Sequence, residues 1–533
     1  MSQQFKVLVL DGVSQGGVDK FSEVEQFSVV VESKKSEEEL LAAIKGVDAL
    51  VVRSATKVPR TVIEKADCLK VIGRAGVGVD NVDVKAATEN GIIVMNTPSG
   101  NTISTAEHTF SLLLSLARNI PQAHGTMKAK RWDRKKFQGV EVNNKVLGVV
   151  GMGRIGTEVA RRAFAFGMRV LAFDPYLSLN RARSLQVELF EDLDEMLPQC
   201  DFVTLHIPMT KETKGLLNKS NLSKCKPSLR IVNCARGGLV DETDLYDLMS
   251  EGKIAGAAFD VYSQEPPTDD FPLRDLDGFV MTPHLGASTA EAQESVGIEV
   301  AESIRDYLIH GTICNAVNVP SVDSKTLETL KPYIDLGHKL GMILAQLGPK
   351  RVASLTVDYS GKIKELDTTA VTRSVVKGFL QHIYRSNVNE VNVTHFAETL
   401  GLAYSESRGA VEADYSELIT VSIETECGQT RSVSGTLFGV VPRLVRIHHF
   451  NLETSPEGVL LVMENMDRPG IIGLVGSLMA KHDINIASMS LARSEMGSHA
   501  LSVLNLDSMP GDELLEELVN DENILSVKAV RVS

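Results

Sequence analysis

The chain reads as an α/β protein: two doubly wound parallel-sheet domains, one inserted in the other, then an α+β domain and a C-terminal ferredoxin-like unit. Three observations lead there. Through about residue 310, short β-rich runs alternate with helical patterns, the signature of parallel strands joined by crossover helices. Residues 150–156 read Val-Gly-Met-Gly-Arg-Ile-Gly, a glycine turn between an apolar run and a helical stretch. The last stretch of about eighty residues orders its elements β-α-β-β-α-β. A length of 533 residues leaves room for three or four such units.

In the first hundred residues, strands are expected at 6–10, 49–53, 71–73 and 92–96, with helices over 37–44 and 82–90. Segment 69–80 carries the glycine-rich turn Gly73-Arg74-Ala75-Gly76-Val77-Gly78. A helical pattern over 105–116 stops near Pro121, because proline lacks the N–H that a helix interior needs. Strands follow at 145–150, 168–173, 202–206, 230–234, 256–260 and 279–282. A breaker-free helix over 291–308 then returns the chain to the first unit.

The first domain is therefore discontinuous, 1–98 and 287–318, and flavodoxin-like. Residues 99–286 form the inserted domain. A linker starts at Val319-Pro320-Ser321, and 319–452 mixes helical and strand patterns. In the final unit, 453–533, strands are expected at 459–463, 484–491, 500–506 and 524–532, and a helix at 512–518. The sequence Asp467-Arg468-Pro469-Gly470 opens its other helix, with Asp467 as the expected N-cap.

The glycine turn defines a cofactor class. Gly151 permits the tight turn, Gly153 lets backbone approach a pyrophosphate, and Gly156 lets the helix pack closely on the strand. The helix N-terminus offers free N–H groups to phosphates. Asp174 ends the next strand, where a carboxylate accepts hydrogen bonds from an adenosine ribose and repels a 2′-phosphate. This is a Rossmann domain that selects NAD over NADP.

A net charge of −14 argues against nucleic acid as a general partner. The apolar run at 5–10 is too short for a signal peptide or a membrane span, so a cytoplasmic enzyme without membrane contact is expected. Six scattered cysteines without a C-x-x-C pair suggest reduced structural thiols and no metal.

Arg236, Glu265 and His284 each follow an expected strand of the inserted domain. Hydride exchange at a 2-hydroxy acid needs a proton carrier and a holder for the carboxylate. Imidazole titrates near neutral pH, so His284 suits the proton, with Glu265 orienting the ring. The planar fork of Arg236 suits the carboxylate. Arg53, Lys57 and Arg74 lie at or near strand ends of the first domain, facing the same crevice. They are the cations that a phosphorylated substrate needs.

These motifs resemble the D-isomer-specific 2-hydroxy-acid dehydrogenases from about residue 5 to 315. The resemblance rests on segments 73–81, 151–156, 232–241, 257–267 and 283–289. Segment Val52-Arg53-Ser54-Ala55-Thr56-Lys57, segment Asn96-Thr97-Pro98, and the two C-terminal units are similar to long-form members that oxidise 3-phospho-D-glycerate. In such enzymes the units at 319–452 and 453–533 are an intervening domain and an ACT domain. The resemblance implies the triad Arg236, Glu265 and His284. It implies NAD contacts at Arg154, Ile155, Asp174, Cys234, Ala235, Asp260, Gly286 and Ala287. Substrate contacts are implied at Arg53, Lys57, Arg74, Val77 and Gly78, with Arg134 reaching a neighbouring subunit's crevice in a homotetramer. Ile207 stands where the family often has threonine. Asp467 and Asn485 are similar to a serine-binding pair that acts across an ACT-domain dimer, and Asn465 lies near a position that is histidine in short-form members. The implied activity is NAD-dependent oxidation of 3-phospho-D-glycerate, with L-serine as inhibitor. A dehydrogenase for another D-2-hydroxy acid, and an NAD-sensing scaffold or corepressor, are the alternatives.

Overall fold

A computed structural model describes residues 4–320, 324–349, 351–384, 388–409, 415–425 and 427–532. Ser321 of the expected linker lies outside them. The strands of the first sheet are β1 (Phe5–Val9), β2 (Phe27–Val31), β3 (Ala49–Val52), β4 (Val71–Arg74) and β5 (Ile93–Met95). They are parallel, in the order β2-β1-β3-β4-β5. Every residue of β3 and β5 is buried, as expected of strands covered by helices on both faces. β2 and the helices Gln15–Ser22 and Arg60–Lys65 were not among the expected elements. β2 is an edge strand of five residues, and both helices are short.

The second sheet contains β6 (Val146–Val150), β7 (Arg169–Phe173), β8 (Glu188–Phe190), β9 (Phe202–Leu205), β10 (Arg230–Asn233), β11 (Gly256–Phe259) and β12 (Phe279–Met281). Its parallel order, β12-β11-β10-β9-β6-β7-β8, reverses between β6 and β9. Such a reversal opens a crevice beyond the carboxyl ends of the strands. The helix Thr102–Arg118 leads into this sheet. Pro121 does end that helix, but it also stands in the first turn of the next, Ile120–Lys128, where its missing N–H costs nothing. The helix Ala290–His310 returns the chain to the first sheet, where Val296, Val300 and Ile304 join the core around Val7, Val9 and Val51. Thr289 caps its start and Gly311, at φ 72°, ends it.

The third sheet contains β13 (Ser354–Gly361), β14 (Ala403–Arg408), β15 (Glu417–Glu424), β16 (Thr430–Phe438), β17 (Val441–Ile447) and β18 (Phe450–Thr454), in the order β14-β13-β15-β16-β17-β18. It is antiparallel except for the β13–β14 pair. The helices Ser324–Leu347 and Thr369–Tyr384 cover it. The fourth contains β19 (Gly458–Met466), β20 (Ile486–Arg493), β21 (His499–Leu506) and β22 (Ile524–Val532). Its antiparallel order, β20-β21-β19-β22, is the ferredoxin-like arrangement.

The units share packing. Leu460, Val462, Val530 and Val532 of the last sheet sit in one core with Leu336, Leu340 and Leu444. Val391 enters the core of the first domain, and Asn389 donates to the carbonyl of Gly91 at 2.8 Å. Among the described residues, no helix is long and apolar enough to cross a membrane. Among them, too, no group of three or more His, Cys, Asp and Glu side chains could hold a metal.

Candidate active site

The glycine turn follows β6 at the point where the strand order reverses. Gly151 has φ 93°, and a Cβ there would lie 2.6 Å from both the His206 carbonyl and the Ile207 side chain beyond β9. A Cβ on Gly156 would lie 2.1 Å from the Gly151 carbonyl, so only glycine lets the helix Arg154–Ala165 pack this closely. A Cβ on Gly153 would meet nothing within 4 Å. The turn is shaped for a ligand's phosphates. Arg154 and Ile155 open the helix, and one Arg154 N–H lies 3.4 Å from the Pro98 carbonyl in the crossover between domains. Asp174 accepts from the Met152 amide at 2.8 Å and from the Tyr176 amide at 2.9 Å, one bond per carboxylate oxygen. Each oxygen keeps a lone pair for a ribose hydroxyl. These residues fit a dinucleotide.

Arg236, Glu265 and His284 follow β10, β11 and β12, three neighbouring parallel strands whose carboxyl ends face one way. His284 Nδ1 lies 2.7 Å from Glu265 Oε2, and Glu265 Oε1 accepts from the Tyr262 amide at 3.1 Å. The bond to Glu265 raises the His284 pKa above its ordinary value, against the effect of burial. Burial would raise Glu265, but the bond and charge of His284 outweigh it and hold the carboxyl low. With Nδ1 engaged, Nε2 is the nitrogen left to exchange a proton. Arg236 is anchored by its own turn. Its Nη1 donates to the Ala235 carbonyl at 2.7 Å, and Asn233 Nδ2 donates to the Arg236 carbonyl at 2.9 Å. Its Nε lies 3.6 Å from Asp80 Oδ2, an ion pair that spans the two domains.

Arg74 ends β4 beside Arg53, which directly follows β3. Burial, then the charges of Arg236 and Arg53, push Arg74 down to about 10. Its Nε is buried without a hydrogen-bond partner. Gly76, at φ 147°, makes the room: a Cβ there would lie 1.8 Å from an Arg74 nitrogen. Arg53 is steadied by Asp11, which accepts from the Arg53 and Thr56 amides at 2.9 Å each. The Val77 carbonyl accepts from Asn96 at 2.6 Å, and a Cβ on Gly78 would lie 2.4 Å from an Arg236 nitrogen. Lys57 is exposed. Arg134 is exposed in the turn Arg134–Lys136, away from these arginines in sequence and sheet.

Two of the expected cofactor contacts have buried side chains. Asp260, 1% exposed, accepts from the Leu285 amide at 2.7 Å and the Gly286 amide at 2.8 Å, so it holds the loop of His284. Cys234 is buried, which pushes its thiol up to about 12, so only its backbone is left to meet a ligand. Ala235 donates its amide to Asn233 at 3.1 Å. The sequence reading passed over Asp11, Asp80, His108, Asn233 and Thr282. Asn233, just before a turn, carried the one available signal, an asparagine placed to bond backbone two residues on.

In the last unit Asp467 does not cap its helix. The cap of Ile471–Lys481 is Gly470, at φ 103°. Asp467 instead accepts from the Gly497 amide at 3.0 Å and lies 3.5 Å from Arg493, drawn across to the β20–β21 turn. Asn485 donates to Asp507 at 2.8 Å beyond the far end of the same helix. Asn465 is buried and donates to the Met466 carbonyl at 2.8 Å.

Comparison with known proteins identifies the family. A D-3-phosphoglycerate dehydrogenase of Methanocaldococcus jannaschii is 42% identical over 99% of this chain and 100% of its own length. One of Bacillus subtilis is 41% identical over 99% of each. The chain belongs to the D-3-phosphoglycerate dehydrogenase family. Residues 110–286 match the NAD binding domain of D-isomer specific 2-hydroxyacid dehydrogenases. Residues 329–448 match the D-3-phosphoglycerate dehydrogenase intervening domain, and 459–523 the ACT domain. The apo-structure of an Escherichia coli D-lactate dehydrogenase aligns with TM-score 0.52 and 28% identity, over 59% of this chain and 100% of that one. A Staphylococcus aureus NAD-dependent formate dehydrogenase in complex with NAD aligns with TM-score 0.53 and 28% identity, over 60% and 100%. The protein is thus an NAD-dependent 2-hydroxy-acid dehydrogenase with an added ACT domain.

Proposed function

We propose that the protein oxidises 3-phospho-D-glycerate to 3-phosphohydroxypyruvate, the first step of the phosphorylated route to L-serine. The observation that carries this reading is the convergence of Arg53, Arg74 and Arg236 at one crevice, with the Arg74 Nε buried and unpaired. Such a field suits a substrate with two anionic ends. Arg236 takes the carboxylate through its fork and polarises the bond at C2. Arg74 and Arg53 take the phosphate, with Lys57 at the rim and the Val77–Gly78 backbone as floor. The glycine turn and Asp174 would hold NAD, which would supply the acceptor for the hydride that leaves C2. His284 Nε2 takes the C2 hydroxyl proton while Glu265 stabilises the imidazolium that forms. In the reverse direction the same nitrogen returns the proton.

Ile120, Met127 and Trp132 are exposed on the segment before Arg134, Trp132 at 79%. That apolar face supports assembly with a second copy, and a homotetramer in which Arg134 meets a neighbour's crevice. L-Serine is the proposed effector. Asp467 and Asn485 flank opposite ends of the 11-residue helix Ile471–Lys481, which alone spans about 16 Å. Two ACT units packed antiparallel would bring Asp467 of one beside Asn485 of the other, with a ligand amino group at Asp467.

A steady-state assay of 3-phosphoglycerate, glycerate and lactate with NAD and NADP tests the reading. Two charge-assisted bonds to phosphate, about 1.5–3 kcal/mol each, give a kcat/KM preference on the order of 10²–10⁴ for the phosphorylated acid. Equal use of glycerate would refute the phosphate site.

A further inference from the structure

The helix Thr102–Arg118 runs beneath the loop that carries His284, and two of its side chains reach that loop. Thr105 Oγ1 donates to the Gly286 carbonyl at 3.1 Å. His108 Nε2 lies 3.1 Å from Asp260 Oδ1 and 3.2 Å from Thr282 Oγ1. Thr282 donates its own hydroxyl proton to Asp260 Oδ1 at 2.6 Å. The proton between His108 and these two oxygens therefore sits on Nε2. The same Oδ1 also accepts from the Leu285 amide, and Oδ2 accepts from the Gly286 amide, the two residues after His284. His284 itself has φ 58°, a left-handed conformation that a side chain disfavours. The loop keeps this conformation through one carboxylate, and His108 orients that carboxylate from behind.

We propose that His108 is a positioning residue for the acid–base centre, fixing Asp260 so that the 284–286 backbone presents the His284 ring to Glu265. This rests on the reading of His284 as proton carrier. His108 acts only through Asp260 and Thr282. The charged groups that face His284 are Glu265, Asp260 and Arg236. With the His108 donor withdrawn, the buried carboxylate loses a partner and the loop relaxes. The His284–Glu265 bond then lengthens.

The test compares His108→Asn with His108→Gln in the full chain. A glutamine amide reaches about as far as Nε2, whereas an asparagine amide falls short. The Asn variant is expected to lose about tenfold in kcat, the scale of one charge-assisted bond, with KM for 3-phosphoglycerate within about twofold. The acid limb of its oxidation pH profile is expected to move to lower pH, because His284 loses part of what raises it. Gln is expected to recover most of both losses. An Asn variant with wild-type kcat and an unmoved acid limb overturns the proposal. So does a loss that Gln does not recover, since a merely structural histidine would lower the melting temperature of both variants without moving the pH profile. His284→Ala tests the underlying reading separately: normal turnover there removes the proton carrier, whereas the His108 variants keep it.

Discussion

At the crevice, Arg236, Glu265 and His284 follow three adjacent parallel strands, so a single chain brings them together. In the ACT unit, Asp467 and Asn485 flank opposite ends of one helix, so a single chain holds them apart. The crevice groups are also pre-oriented. Glu265 has two donors, Asp260 at least three, and Arg236 is tied by its own turn. The ACT pair is occupied by local partners, Gly497 and Asp507, that a ligand would have to displace or share. A reaction needs fixed geometry before substrate arrives. Regulation needs two arrangements of different affinity, and a site shared between copies supplies them through assembly.

The largest effect is expected at His284. His284→Ala should reduce turnover by roughly 10²–10⁴-fold and leave NADH affinity nearly unchanged, measured by steady-state kinetics beside an NADH titration. Arg236→Ala should cost roughly 10–150-fold in kcat/KM, shared between substrate binding and turnover, because one guanidinium serves ground state and transition state. A change confined to NAD affinity would move Arg236 to the cofactor site.

Asp467→Ala tests the other region. Millimolar L-serine should inhibit the wild type through a coupling of about 5–150-fold, and the variant should lose this inhibition with uninhibited turnover intact. Calorimetry on both proteins separates binding from inhibition. If serine binds without inhibiting, the site stands and the feedback role falls.

Two smaller effects sharpen the crevice side. Asp174→Ala should raise KM for NAD about tenfold and narrow the gap to NADP, since the ribose loses an acceptor and a 2′-phosphate loses a repulsion. Glu265→Gln should shift the pH profile of oxidation. Glu265 raises His284, and oxidation needs the neutral imidazole, so the rate climbs as pH passes through that raised pKa. Without the carboxylate the climb begins at lower pH. An acid limb that stays in place would show that His284 does not set it.

Much of the crevice was legible in the residues before any fold was known. Gly151, Gly153 and Gly156 stand between an apolar run and a helical stretch, with Asp174 following, as a phosphate turn requires, and Arg236, Glu265 and His284 each lie just beyond an expected strand. Local chemistry and periodicity carry that information. β2 and the two short helices were not legible, because an edge strand and a helix of six residues bury too little to leave a period.

Tertiary structure decided the rest, because it concerns partners far apart in the chain. Asp467 precedes a helix and looks like its cap, yet the turn at Gly497 takes it. Asp260 and Cys234 sit at strand ends like ligand contacts, and the fold buries both side chains. His108 is an ordinary position on an amphipathic helix until Asp260, 152 positions later, is folded against it. The sequence by itself determined the cofactor class, written in one contiguous motif, and pointed to the order of the domains and to Arg236, Glu265 and His284 through short local patterns. Only the folded chain decided which carboxylate stands beside the glycine turn and which holds the loop of His284, because the direction of a side chain depends on packing between elements that the sequence keeps apart.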